Sequence, residues 1–112
     1  MEECIFCKIV NGEIPSDKVY EDNEILAFKD INPVAPVHIL IIPKKHIATT
    51  DDLEECDEKL IGKIFTVIKK LAKENNLENG YRIVNNCKED GGQEVKHLHF
   101  HLLGGRKLGM NV

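Results

Sequence analysis

A chain of 112 residues with 42 % apolar and 30 % charged side chains has the make-up of one globular domain, large enough to bury a core. No stretch is apolar for the length that a bilayer crossing needs, which excludes a transmembrane helix. The net charge of −4 comes from 15 basic residues scattered among 19 acidic ones, which argues against duplex nucleic acid as the main partner but leaves room for a local phosphate pocket.

The opening Met1-Glu2-Glu3-Cys4 lacks the basic region and apolar run of a secretory signal, so a cytoplasmic protein without disulfides is expected. There is no repeat, low-complexity tract or Gly/Ser linker, and residues 1–112 are expected to form a single domain.

Ile5 to Val10, closed by Asn11-Gly12, predicts one or two helical turns, and Ile14-Pro15-Ser16 a connection. Val19-Tyr20-Glu21, Asp22-Asn23 and Ile25 to Phe28 spell strand, turn, strand. Asp30 to Pro36 is a proline-containing loop, and His38 to Ile42 a β-branched run stopped by Pro43, as expected of a central strand covered on both faces. From about Thr50 the pattern turns helical, with Leu60, Ile61, Ile64, Phe65, Ile68 and Leu71 at three- and four-residue steps and lysines gathered late. Gly80 to Asn85 predicts a strand, Glu89 to Gly92 a turn, and Val95 to Leu103 a last strand ended by Gly104-Gly105. The order β-β-β-α-β-β implies an α+β fold: an antiparallel sheet of about five strands, one long helix and a short N-terminal helix.

The chemistry concentrates in His97-Leu98-His99-Phe100-His101. In extended chain the three imidazoles share one face, while Leu98, Phe100 and Leu102 share the other. A solvated face has no need of three imidazoles. Two readings remain: a metal site, since imidazole is a common ligand, and phosphoryl chemistry, since a ring with a pKa near 6.5 is a nucleophile or a proton donor at neutral pH. Cys4 and Cys7 have the C-x-x-C spacing of a metal or redox pair, or are two reduced core cysteines; Cys56 and Cys87 have no partner in sequence.

The run His97 to Leu103 reads His, apolar, His, apolar, His, apolar, apolar. Together with Asp30-Ile31-Asn32-Pro33, Ala35-Pro36, His38, Ile42-Pro43-Lys44-Lys45-His46, Gly80-Tyr81-Arg82, Asp90-Gly91-Gly92-Gln93 and Gly104-Gly105, it resembles the histidine triad family over nearly the whole chain, above all the nucleotide-binding Hint branch. The resemblance implies a HIT-like fold and a homodimer whose sheets join edge to edge. It also implies hydrolysis of purine nucleoside phosphoramidates or related AMP derivatives. Carried over by position, His99 is the nucleophile that forms a nucleotidyl-histidine intermediate. His101 hydrogen-bonds a phosphate oxygen together with backbone amides of Gly92, Gln93 and Glu94, and His38 is a pocket histidine.

Asn86 corresponds to the asparagine at the phosphate, with Asn85 one residue away; alternation lets only one of them face the pocket. Asp30 corresponds to the acid that accepts from the ribose hydroxyls, and Phe6, Ile9, Phe28 and Ile31 to an apolar slot for the base. Glu94 is a departure, since many members carry serine there and a carboxylate repels phosphate; its amide is the better candidate. In members with the same cysteine pair, His46 and His97 complete a zinc site, so the resemblance implies Cys4, Cys7, His46 and His97 as ligands. Four N/S ligands leave no open position, which makes that Zn2+ structural and removes His97 from proton transfer. The alternatives from the same family are a dinucleoside polyphosphate hydrolase, as in the Fhit branch, and a nucleotide-binding scaffold dimer with little turnover.

Overall fold

The computed structural model describes residues 4–111. A local signal sets up the first half of the sheet. Asp22 Oδ1 accepts from the N–H groups of Glu24 and Ile25 at 2.7 and 2.8 Å, an Asx turn that folds β1 (Lys18–Glu21) onto β2 (Ile25–Lys29). β3 (Val37–Pro43) then pairs antiparallel with β2, from Ile25 opposite Pro43 to Lys29 opposite Ile39. After α2 (Glu58–Glu74) the chain returns through β4 (Arg82–Val84) and β5 (Phe100–Gly104), and the five-stranded sheet has the order β1-β2-β3-β5-β4.

Alternation along the central strands divides the core. Ile25, Ala27, Ile39, Ile41, Phe100 and Leu102 face α2 and pack with its Leu60, Ile64, Val67, Ile68 and Leu71. Each of the valine, leucine, isoleucine and phenylalanine side chains among them contributes about 1.5–3 kcal/mol when fully removed from water. Leu26, Phe28, Leu40 and Ile42 point the other way and meet Phe6 and Ile9 of α1 (Ile5–Val10). His38 has the parity of Leu40, and His101 lies opposite Leu40 in the register, so both project on the α1 side.

The α+β architecture agrees with the sequence reading, and three boundaries are corrected. The last strand begins at Phe100, not Val95; residues 95–99 lead into it without ladder pairing, although Leu98 still packs on the α2 side with Phe100 and Leu102. The helix begins at Glu58 instead of Thr50, because Leu53 and Glu54 are extended and split the approach into two 3₁₀ turns, Thr50–Asp52 and Glu55–Asp57, each with its own capping box. β4 keeps only Arg82–Val84 of the expected 80–85. Among the described residues no helix is long and apolar enough to cross a membrane.

Candidate active site

The loop before β3 and the beginning of β5 bring Asp30, His38 and His101 together. His38 Nδ1 accepts the backbone N–H of Val34 at 3.2 Å, so the proton of the neutral ring sits on Nε2. That Nε2–H faces Nδ1 of His101 at 2.9 Å, with Asp30 Oδ2 3.4 Å away. His101 therefore accepts at Nδ1 and carries its own proton on Nε2. Asp30, His38 and His101 have the ligand types of a metal site. With the Val34 N–H occupying Nδ1, however, His38 has no free lone pair for an ion, and the three act as a hydrogen-bonded chain.

His99 is oriented by the backbone. Its Nδ1–H donates to the carbonyl of His97 at 2.7 Å, which leaves the Nε2 lone pair uncommitted. Phe6 packs edge-on against the ring at 5.2 Å between centroids, and the ring of His101 lies at 5.1 Å. Burial lowers the His99 pKa from its ordinary value, and burial followed by the His99 and His38 rings pushes His101 down to about 4. His38 is also lowered by burial, against the opposing pull of the Asp30 carboxylate. Uncharged imidazoles are the state these surroundings favour near neutral pH.

A cavity of about 340 Å³ opens beside this chain, lined among others by Asp30, His38, Asn86, Glu94 and His101. Of the two asparagines, Asn86 lines the cavity. Asn85 points elsewhere: its Nδ2 donates to the His99 carbonyl at 2.9 Å and its Oδ1 accepts from the Thr50 hydroxyl. Sequence reasoning singled out neither Thr50 nor the Val34 amide. A threonine thirty-five residues from Asn85 carries no local signal, and a backbone donor carries none at all.

Other expected residues lie differently. Ile31 is 90 % exposed, beside the lining residues Asp30 and Asn32, whereas Phe6, Ile9 and Phe28 are core side chains that do not line the cavity. The amides of Gly92 and Gln93, expected to gather on phosphate, are consumed by the turn itself: they donate to the carbonyls of Glu89 and Lys88, each at 3.0 Å. Gln93 uses its side chain on the loop as well, donating to Ala48 O and Val95 O at 2.8 and 2.9 Å. Among the described residues the Glu94 N–H has no acceptor, and its side chain is exposed at the cavity edge.

Cys4, Cys7, His46 and His97 converge between α1 and the sheet, forming a group that could hold a metal ion. Cys4 Sγ lies 3.3 Å and Cys7 Sγ 3.6 Å from His97 Nδ1, and Cys7 Sγ lies 3.2 Å from His46 Nδ1. A tetrahedral zinc with bonds of about 2.0–2.3 Å has S–N edges of about 3.5 Å, so the residues fit such an ion. The tautomer fits too: His97 Nε2–H donates to the Pro43 carbonyl at 2.8 Å, turning the Nδ1 lone pair toward the sulfurs. Burial and the adjoining Cys4 push the Cys7 thiol up to about 11, and a bound cation reverses that preference.

The chain is similar to known proteins over nearly its whole length. The purine nucleoside phosphoramidase of Escherichia coli (strain K12) is 51 % identical over 109 residues, which cover 96 % of this chain and 92 % of that one. A HIT family hydrolase from Legionella pneumophila Philadelphia 1 superposes with a TM-score of 0.95 at 55 % identity, over 97 % of this chain and 98 % of that one. A histidine triad protein from Clostridium difficile gives 0.94, also at 55 % identity, over 97 % and 96 %. The HIT domain matches residues 11–108, and the chain belongs to the HIT family.

Proposed function

We propose that the protein hydrolyses purine nucleoside phosphoramidates through a nucleotidyl intermediate on His99. The observation that carries this reading is the free Nε2 lone pair of His99, fixed by the bond from Nδ1–H to His97 O, beside a second ring whose Nε2 bears a proton. Nε2 attacks the α-phosphorus and the P–N bond breaks; the amine leaves with a proton taken from water in the cavity. The imidazolium so formed keeps its Nδ1–H on the His97 carbonyl. His101 Nε2–H and the Glu94 amide donate to a non-bridging oxygen as charge builds there. The hydroxide left by that water then attacks phosphorus, the P–Nε2 bond breaks with its electron pair returning to Nε2, and the nucleoside monophosphate departs while the imidazole returns neutral.

Asn86 holds the phosphate from the cavity wall, His38 orients His101, and Asp30 accepts from the ribose hydroxyls. Exposed Ile31 offers the base an apolar face at the cavity edge, without the core residues Phe6, Ile9 and Phe28. The cavity lining holds the carboxylates of Asp30 and Glu94 and neither lysine nor arginine. Such a lining favours a substrate that brings one negative charge and an amine over a polyphosphate.

The metal is a structural Zn2+ held by Cys4, Cys7, His46 and His97, which ties α1 to the strand end at Pro43 and to the histidine run. The working form is a homodimer joined at the edge of β4. At the opposite edge, β1 carries Lys18, Glu21 and a bulge, features that discourage pairing. β4 is half-buried, and exposed Tyr81 precedes it. Four free cysteines suit a cytoplasmic setting.

The test is turnover of adenosine 5′-phosphoramidate, with acid-quenched protein weighed for a nucleotidyl adduct. His99→Ala is expected to lose about a thousandfold or more in kcat while still binding AMP. Normal turnover by that variant, or an adduct that survives on it, refutes the assignment.

A further inference from the structure

The sheet ladder stops short of the residue proposed as nucleophile. β4 and β5 pair as far as Val84 opposite His101, and no ladder pair follows. Beyond that point a side chain does what a strand neighbour would otherwise do: Asn85 Nδ2 donates to the His99 carbonyl at 2.9 Å. A side-chain amide holds a carbonyl well only when its own rotation is stopped. Here the Thr50 hydroxyl donates to Asn85 Oδ1, which also settles which end of the amide faces His99.

Thr50 belongs to a segment that meets the histidine run and its loop repeatedly. Ile47 O accepts from the Leu98 N–H at 2.6 Å, Ala48 O accepts from Gln93 Nε2 at 2.8 Å, and Asp51 pairs with Lys88 at 2.7 Å. These bonds fasten residues 47–51 to the chain between Asn85 and Leu98. Only the bond through Asn85 ends on His99 itself.

We propose that Asn85 and Thr50 are a positioning pair for the nucleophile, an inference that rests on His99 being that nucleophile. In-line attack needs the Nε2 lone pair aimed at phosphorus, and a productive constellation tolerates about 10–20° of misorientation. The ring is held at Nδ1 by the His97 carbonyl, but that bond fixes direction only if the backbone of residue 99 is itself fixed. Asn85 supplies that second point, on the side where β4 has ended. Both ends of the Asn85 side-chain amide are spent, on the His99 carbonyl and on the Thr50 hydroxyl, so the pair acts through His99 and not on the substrate.

The experiment compares Asn85→Ala, Asn85→Asp, Thr50→Val and Thr50→Ser with the wild type, measuring kcat and KM for adenosine 5′-phosphoramidate and the Kd of AMP. Asn85→Ala is expected to lower kcat about 10- to 100-fold while KM and Kd stay within about twofold. Asn85→Asp sets a carboxylate oxygen against the His99 carbonyl and is expected to do no better. Thr50→Val loses part of the rate, and Thr50→Ser, which keeps the hydroxyl, restores it.

A kcat for Asn85→Ala within about twofold of wild type overturns the proposal. So does an equal loss of AMP affinity, or a Thr50→Ser protein as slow as Thr50→Val. Should the wild type itself leave phosphoramidates intact, the functional reading fails and the pair is judged by NMR alone. The His99 Nδ1–H proton, assigned by its absence in His99→Ala, is expected to be sharp in the wild type and exchange-broadened in Asn85→Ala. An unchanged line refutes the pair.

Discussion

His101 holds a neutral ring in a setting hostile to charge. Its pKa falls from 6.5 to about 4, through burial first and the neighbouring His99 and His38 rings next. Between those two values the unfolded chain binds a proton at this position that the folded chain refuses. Folding stability contributed here is therefore complete above pH 6.5 and is lost as pH falls toward 4. Urea unfolding at pH 7, 5.5 and 4.5 is expected to show a shallower acid loss in His101→Asn than in wild type, the difference between the two slopes isolating this ring from the other buried histidines. Parallel slopes contradict the assignment. The same reluctance to charge keeps His101 a donor through Nε2–H alone, while His99 keeps the lone pair that nucleophilic attack requires.

At the scale of elements, the geometry around α1 makes the N-terminal turn depend on its four-residue cluster. The helix has six residues, its N-cap is the Cys4 sulfur accepting from the Cys7 N–H at 3.3 Å, and Phe6 and Ile9 are its buried residues. A helix this short is not stable alone. Chelation, or Cys7→Ser, is expected to lower Tm by roughly 10 °C. Metal analysis and a thermal scan check this, and turnover below the new Tm should persist. The loop after β4 is equally constrained. A Cβ on Gly91 would come 2.5 Å from the Cys87 carbonyl oxygen and 2.8 Å from its nitrogen, so Gly91→Ala must displace backbone and is expected to cost about 1–3 kcal/mol in denaturant unfolding.

Such loops mark where the sequence stops being legible. Strands, hairpin and long helix announce themselves through period two, period 3.6 and Asx turns, all local, and the order of elements followed. The face of Asn86, the capture of the Gly92 and Gln93 amides by their own turn, and the exposure of Ile31 depend on how separate segments close on one another. Position along the chain does not encode them.

For the molecule as a whole, the β4 edge sets the expected assembly. Phe65 of α2 is 43 % exposed, with its ring 5.6 Å from Phe100 on β5, the neighbour of β4, and Tyr81 is 40 % exposed just before β4. Two aromatic side chains next to an unpaired strand edge make a self-complementary contact reasonable. Sedimentation is expected to give twice the 12.7 kDa chain mass for the wild type and a shift toward the monomer for Phe65→Asp with Tyr81→Glu. A wild type that stays monomeric at high concentration excludes the dimer. The alternation through His97, Leu98, His99, Phe100 and His101 carries one more consequence, for descent. Single substitutions trade one imidazole at a time and leave the rest in place. Losing or gaining one residue inside the run would turn apolar side chains away from α2 and drive imidazole under it. The spacing can therefore be inherited or abandoned, but it has no viable half-step.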